Sequence, residues 1–253
     1  MSTSIVLKKD TITRLIKDVK EIIANPLTSH GIYYHHNEAD ILKGEVLIIG
    51  PKDTPYENGY YLFEISYPVN YPFSPPVVKY YTNDGITRFN PNLYKCGKVC
   101  LSILNTWRGD QWSSCQTISS VLLALCTIFN NAPLLNEPGI SAEHLDFKNY
   151  NMVLEYKNFE IGMMHMFRLI VLNADANANA NANANVDSKF SAFKDIIKTH
   201  FLENYKINKD RLDTLLLLYN DKNNKSSVIH VGIYSMFIPI DYENLKRKFQ
   251  ELH

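Results

Sequence analysis

Four runs rich in β-branched and aromatic residues succeed one another: His30–His36, Gly44–Ile49, Tyr60–Tyr67 and Val77–Tyr81. Gly, Pro, Asn and Asp separate them, which reads as four strands joined by turns. Connections this short favour an antiparallel meander. The sheet needs an apolar cover, and the flanking segments supply it. Before the runs, Ile12, Leu15, Ile16, Val19, Ile22 and Ile23 recur at helical spacing until Asn25-Pro26 ends the pattern. The polar side of that helix carries Arg14, Lys17 and Lys20. After the runs, Ile118, Val121, Leu122, Leu125, Ile128 and Phe129 form a second stripe, with Ser113 and Gln116 spaced as a capping box. Leu145–Leu172 is helical in pattern, and its Met152, Tyr156, Phe159, Met163, Met166 and Phe167 read as core rather than as a cofactor box.

At 253 residues the chain is long enough to bury a sizeable core without staples. Lys plus Arg and Asp plus Glu balance at 26 each, which argues against a nucleic-acid binder or a polybasic membrane anchor. No stretch approaches the roughly 20 apolar residues of a membrane span. Four cysteines, Cys96, Cys100, Cys115 and Cys126, and no apolar leader with a cleavage pattern point to a reducing cytosolic or nuclear compartment. Cys96 and Cys100 lack two further ligands at a familiar spacing, so no metal site is expected.

Two segments carry candidate function. Pro68, Pro72, Pro75 and Pro76 stiffen the chain after the third run and hold Phe73 out at a tip. Further on, Cys100 stands between a mostly polar, glycine-bearing stretch and an apolar one. A thiolate is a strong nucleophile, and the thioester it forms stays reactive toward amines. Asn92, just upstream, offers a side-chain amide for a developing oxyanion if the loop folds back.

Asn90-Pro91-Asn92 followed by Gly97-Lys98-Val99-Cys100-Leu101 resembles the active-site segment of the ubiquitin-conjugating enzymes, whose pattern is His-Pro-Asn, a short turn, then Gly-Lys-Val-Cys-Leu. Pro55-Tyr56-Glu57-Asn58-Gly59, Tyr71-Pro72-Phe73-Ser74-Pro75-Pro76, Trp112-Ser113 and Asn136-Glu137-Pro138-Gly139 are similar to further family motifs, in the family's order. The chain departs from it at Asn90, where the family has a mainly architectural histidine, and at Ser113-Ser114-Cys115, where it usually has Ser-Pro-Ala. The long loop after Cys100 and the C-terminal tail look most like the Z subtype, with the conjugating module of giant inhibitor-of-apoptosis proteins close behind.

The resemblance implies an α+β fold, a four-stranded antiparallel meander with an N-terminal helix, a central helix and C-terminal helices. It implies that Cys100 takes ubiquitin or a ubiquitin-like modifier from an activating enzyme as a thioester and passes it to a substrate lysine, usually with a ligase. Asn92 would support the oxyanion or the loop, and Glu137 would help the lysine lose its proton. Lys98 would modestly favour the thiolate. Arg14, Lys17 and Lys20 would dock the activating enzyme, and Phe73 the ligase. ATP is consumed by the activating enzyme, and no cofactor is implied. A non-catalytic scaffold on the same fold is the alternative; a cysteine hydrolase would want a histidine base beside the thiol, and none is placed by motif.

Residues 1–172 are thus expected as the conjugating core. The Ala/Asn alternation within 173–187 has nothing large to bury and reads as a disordered linker. Residues 188–253 form an extension: helices over Phe190–Tyr205 and Leu212–Tyr219, one strand-like segment over Val228–Ile240, and a last basic helix from Asp241.

Overall fold

The first amphipathic run folds as helix α1, Lys9–Ala24, in the computed structural model, which describes residues 7–173, 186–220 and 227–252. Leu15 and Ile22 are buried along it, while Ile16 and Ile23 face outward. Asp18 is buried on the same helix and accepts hydrogen bonds from Arg14 Nε and the Tyr71 hydroxyl, so its charge is paired.

The four runs become β1 (Ile32–His36), β2 (Lys43–Ile49), β3 (Tyr60–Ser66) and β4 (Val77–Tyr80). They pair in chain order, every pair antiparallel, which is the expected meander. The first strand starts later than its composition suggests. Thr28–His30 instead forms a tight turn closed by Gly31, whose φ of 70° is left-handed and open to glycine.

Alternation sorts the strands into two faces. Val46, Ile48, Tyr61, Phe63, Val78 and Tyr80 share the inner face. Tyr61 and Phe63 meet Phe129, at the end of α2 (Ile118–Thr127), with ring centroids 4.6 and 6.3 Å apart. The capping box of α2 is Thr117 with Ser120, not Ser113 with Gln116. Thr117 is the extended residue directly before the first helical one, whereas Ser113 and Gln116 close a separate turn.

The long helical stretch begins as α3, Phe147–Lys157, and continues with wider π-type turns over Asn158–His165 and Arg168–Leu172. At the widening, buried Asn158 accepts from the Tyr61 hydroxyl at 2.7 Å and donates to the Glu57 carbonyl at 2.8 Å. The stripe from Tyr156 to Phe167 is core, with Met152 half-buried beside it.

Of the tract expected as a linker, residues 174–185 lie outside the described residues. Beyond it come α4 (Val186–Lys189), α5 (Lys194–Asn220), β5 (Ser227–Val231), β6 (Met236–Ile240) and α6 (Tyr242–Gln250). Two expectations are corrected here. The two separate helices are one: α5 crosses the gap in apolar periodicity because Asn208 and Arg211 bury polar contacts there, with Asn58, Glu57 and Glu155. The single strand-like segment is a hairpin, reversed at Gly232–Tyr234 and Ser235, whose φ of 50° is left-handed.

The extension meets the outer face of the sheet. Leu47, Tyr60 and Leu62 on that face are fully buried. Tyr60 packs edge-on against His200, Tyr81 against Phe190, and Lys189 bonds to Glu64. One hydrophobic cluster therefore runs from α1 through both faces of the sheet to α6.

Candidate active site

The loop before Cys100 has no regular secondary structure, so side chains must fix it. Arg88 does much of this: its Nε donates to the Asn90 carbonyl at 3.1 Å and a terminal nitrogen to the Pro91 carbonyl at 2.6 Å. The guanidinium lies 3.4 Å from the centroid of the Tyr94 ring, so the ring's π-face holds the cation where it braces the loop. Asn90 is fully buried. Its Nδ2 donates to the Tyr56 hydroxyl and the Ile128 carbonyl, and its Oδ1 accepts from the backbone of Asn92 and the side chain of Asn136. Four bonds on one buried amide leave the loop little freedom.

After the triplet the chain turns tightly. Tyr94 N donates to the Lys98 carbonyl at 2.9 Å and Gly97 N to the Tyr94 carbonyl at 2.8 Å. Gly97 has φ 88°, and a Cβ there would sit 2.8 Å from the Tyr80 carbonyl oxygen. Only glycine lets this turn lie so close to β4, where Tyr80 N donates to the Gly97 carbonyl. Lys98 is exposed and extends over the Tyr94 ring at 5.7 Å.

Cys100 and Asn92 hold each other through two bonds. Cys100 N donates to the Asn92 carbonyl at 2.9 Å, and Asn92 Nδ2 donates to the Cys100 carbonyl at 2.7 Å. Asn92 is 5% exposed and Cys100 2%. The amide thus grips the backbone of Cys100, and the residue is almost wholly covered. The adjoining cleft of about 410 Å³ is lined by Pro75–Lys79 and Cys96–Val99 but not by Cys100.

Glu137 follows Asn136, which is itself bonded to Asn90, and is half-buried. Its Oε2 accepts a hydrogen bond from the Tyr234 hydroxyl at 2.8 Å. Among the described residues no cluster of three His, Cys, Asp or Glu side chains could hold a metal ion.

Residues 14–157 match the family described as Ubiquitin-conjugating enzyme, over more than half of the 253 residues. The chain belongs to the ubiquitin-conjugating enzyme family. Ubiquitin-conjugating enzyme E2 Z of Homo sapiens is 42% identical over 156 residues, covering 60% of this chain and 44% of that protein. Probable ubiquitin-conjugating enzyme protein 17 of Caenorhabditis elegans is 45% identical over 140 residues, covering 52% of this chain and 19% of the relative. The dual E2 ubiquitin-conjugating enzyme/E3 ubiquitin-protein ligase BIRC6 of Homo sapiens is 51% identical over 107 residues, covering 40% of this chain and 2% of the relative. The matches span less than half the length of each of these relatives.

Around this conjugating domain the remaining expected site residues are scattered. Phe73 is 75% exposed at the tip of its proline loop. Tyr71 behind it is buried, and Trp112 Nε1 donates to the Pro72 carbonyl at 2.7 Å. Lys17 and Lys20 are exposed on α1. Arg14 is not free beside them. Its guanidinium pairs with Asp18 and donates at 2.6 Å to the carbonyls of both Ser114 and Gln116, fastening α1 to the segment before α2.

Sequence reasoning missed Arg88 and Tyr234, and quoted Tyr56 and Asn136 only as parts of motifs, without their bonds to Asn90. Arg88 stands two residues before the triplet, and a guanidinium so close to a loop without regular structure was a usable signal, since its donors suit free carbonyls. Tyr234 lies 97 residues from its partner Glu137, and no pattern near either one announces the contact.

No helix among the described residues is long and apolar enough to cross a membrane.

Proposed function

We propose that Cys100 is the thiol on which this conjugating enzyme carries ubiquitin or a ubiquitin-like modifier. In the first step Sγ attacks the thioester carbonyl that joins the modifier to the activating enzyme. A new C–S bond forms, the old one breaks, and the proton of Cys100 goes to the departing thiolate. In the second step an uncharged lysine amine attacks the Cys100 thioester. A C–N bond forms, the C–S bond breaks, the nitrogen gives up a proton and Cys100 leaves as thiolate. A ligase that holds both partners supplies much of the positioning.

The observation that carries this reading is the reciprocal pair of hydrogen bonds between Cys100 and Asn92 in a domain of the conjugating family. Asn92 holds the loop, and the second hydrogen on its Nδ2 is the donor for the oxyanion. Glu137 accepts the proton that the lysine sheds. On α1, Lys17 and Lys20 meet the activating enzyme while Arg14 keeps the helix in place. Phe73 fills an apolar groove on the ligase. Residues 1–172 are the catalytic unit, 188–253 a layer built onto it, and the protein works in the cytosol or nucleus.

The test is to incubate the protein with activating enzyme, ATP and modifier and look for an adduct that reductant removes. Cys100→Ser converts that adduct to a reductant-resistant ester or abolishes it. A labile adduct that persists in Cys100→Ala moves the nucleophile to another thiol, of which Cys96 is exposed. A protein that never forms the adduct is a non-catalytic scaffold.

A further inference from the structure

The β5–β6 hairpin of the extension reaches the catalytic segment, and it does so through a tip whose position is over-determined. The backbone nitrogens of Gly232 and Ile233 donate to Asp146, at 3.0 Å to Oδ1 and 2.8 Å to Oδ2, so one carboxylate clamps the turn to the start of α3. Asn149 Nδ2 donates to the His230 carbonyl at 3.1 Å, one turn further along the helix. At the end of the turn, Met236 Sδ accepts from the backbone nitrogen of Arg88. Between these anchors the Tyr234 ring lies against Tyr150, centroids 5.5 Å apart, and the Arg88 guanidinium stands 5.5 Å from its centroid. A ring wedged in this way delivers its hydroxyl to one place, and that place is Glu137 Oε2.

Arg88 ties the two ends of this arrangement together, since the same guanidinium holds the carbonyls of Asn90 and Pro91. From Cys100 the hydrogen-bonded chain therefore runs through Asn92 and Asn90 to Asn136, the residue before Glu137, and Tyr234 closes it from the far side.

We infer that Tyr234 is a positioning residue for acyl transfer: its hydroxyl occupies one oxygen of Glu137 and leaves the other to accept the proton of the incoming lysine. The inference rests on the reading of Cys100 as the carrier thiol. In the step concerned, the Glu137 carboxylate takes one proton from the lysine ammonium; the neutral nitrogen then bonds to the thioester carbon, Cys100 Sγ departs with the C–S electron pair, and the second proton lost by nitrogen goes to that thiolate. Tyr234 touches none of the reacting atoms. Burial, with the Glu137 contact, pushes its own ionisation far above the usual phenol range, so it remains a donor throughout any practical titration.

The experiment charges the full chain with modifier, stops the supply of ATP, adds free lysine, and follows loss of the thioester in a single turnover. Charging involves no amine, so Tyr234→Phe, which keeps the ring and removes only the hydroxyl, still forms the adduct. Its discharge is expected to slow about tenfold near pH 7, less than the roughly 100-fold or more that a general base supplies, because the Glu137 carboxylate itself is still present. The gap should close to about twofold near pH 9.5, where lysine, with its ordinary pKa of about 10.4, sheds its proton increasingly without help. Glu137→Gln should show the same alkaline recovery, and the double variant should be no slower than Glu137→Gln alone.

Three results overturn the inference. One is discharge by Tyr234→Phe at the wild-type rate. Another is a loss that stays constant across pH and adds to that of Glu137→Gln, the mark of a structural role. The third is a wild-type chain that never forms the labile adduct, which defeats the carrier reading itself and is recognised before any lysine is added. A melt of Tyr234→Phe that matches wild type shows that the hairpin is still seated when the rates are compared.

Discussion

The two faces of the sheet are buried to a similar extent by different means. The inner face is closed by aromatic packing on Phe129, which meets Tyr56, Tyr61 and Phe63 with centroids 5.0, 4.6 and 6.3 Å away. Every partner in that cluster comes from the expected conjugating core. The outer face is covered by a segment that begins far along the chain, and its contacts mix apolar with polar: Tyr60 with His200, Glu64 with Lys189, Asn58 with Asn208. An antiparallel sheet in a small domain commonly leaves one face wet. Here the extension removes that option, and the protein depends on it for a second layer of core.

The largest expected effect comes from taking the second layer away. A chain ending at residue 172 exposes Leu47, Ile49, Tyr60 and Leu62, each worth about 1.5 kcal/mol or more when buried. The loss is a large part of a typical domain's stability. Thermal melts followed by circular dichroism should show a much lower and broader transition, with strong binding of a hydrophobic dye. A truncated chain that melts like the full one would reduce the outer layer to decoration.

Next in size is Phe129→Ala, which opens a cavity among three aromatic neighbours on the inner face and should cost about 3–5 kcal/mol in a denaturant titration. Because the Ile128 carbonyl accepts from Asn90, this variant should also slow thioester formation on Cys100.

The smallest effect depends on pH. Burial holds the His200 pKa below its ordinary 6.5. The unfolded chain then takes up a proton more readily than the folded one. The stability that neutral His200 contributes is complete above 6.5 and is lost as pH falls through that value toward the lower folded one. His200→Gln should flatten the fall in melting temperature between about pH 7 and pH 5. An unchanged slope would mean that the outer face yields to acid elsewhere.

Much of the candidate site was legible because it is encoded locally. Asn92 and Cys100 lie eight positions apart, and their mutual bonds follow from a glycine turn that the sequence spells out at Gly97. Asn90, read as a departure from the family's histidine, turns out to satisfy the same loop with four hydrogen bonds. A helical wheel shows which way the Arg14 side chain starts, not what it meets within the fold. The side chain's two carbonyl partners stand 100 and 102 residues away.

The sequence alone determined the helix at the start, the four strands and their meander, the exposed Phe73 and the Asn-Pro-Asn to Cys100 segment. Each of these depends on periodicity, turn residues or contacts between neighbours in the chain. It even carried an unused hint of the second layer: Val46 to Ile49 and Tyr60 to Phe63 run apolar without alternation, as strands do when both faces are covered. Only the tertiary structure decided what covers the outer face, and that Tyr234 seats itself on Glu137. Such contacts join residues whose separation along the chain leaves no local pattern, and they form only once the layers between them have packed.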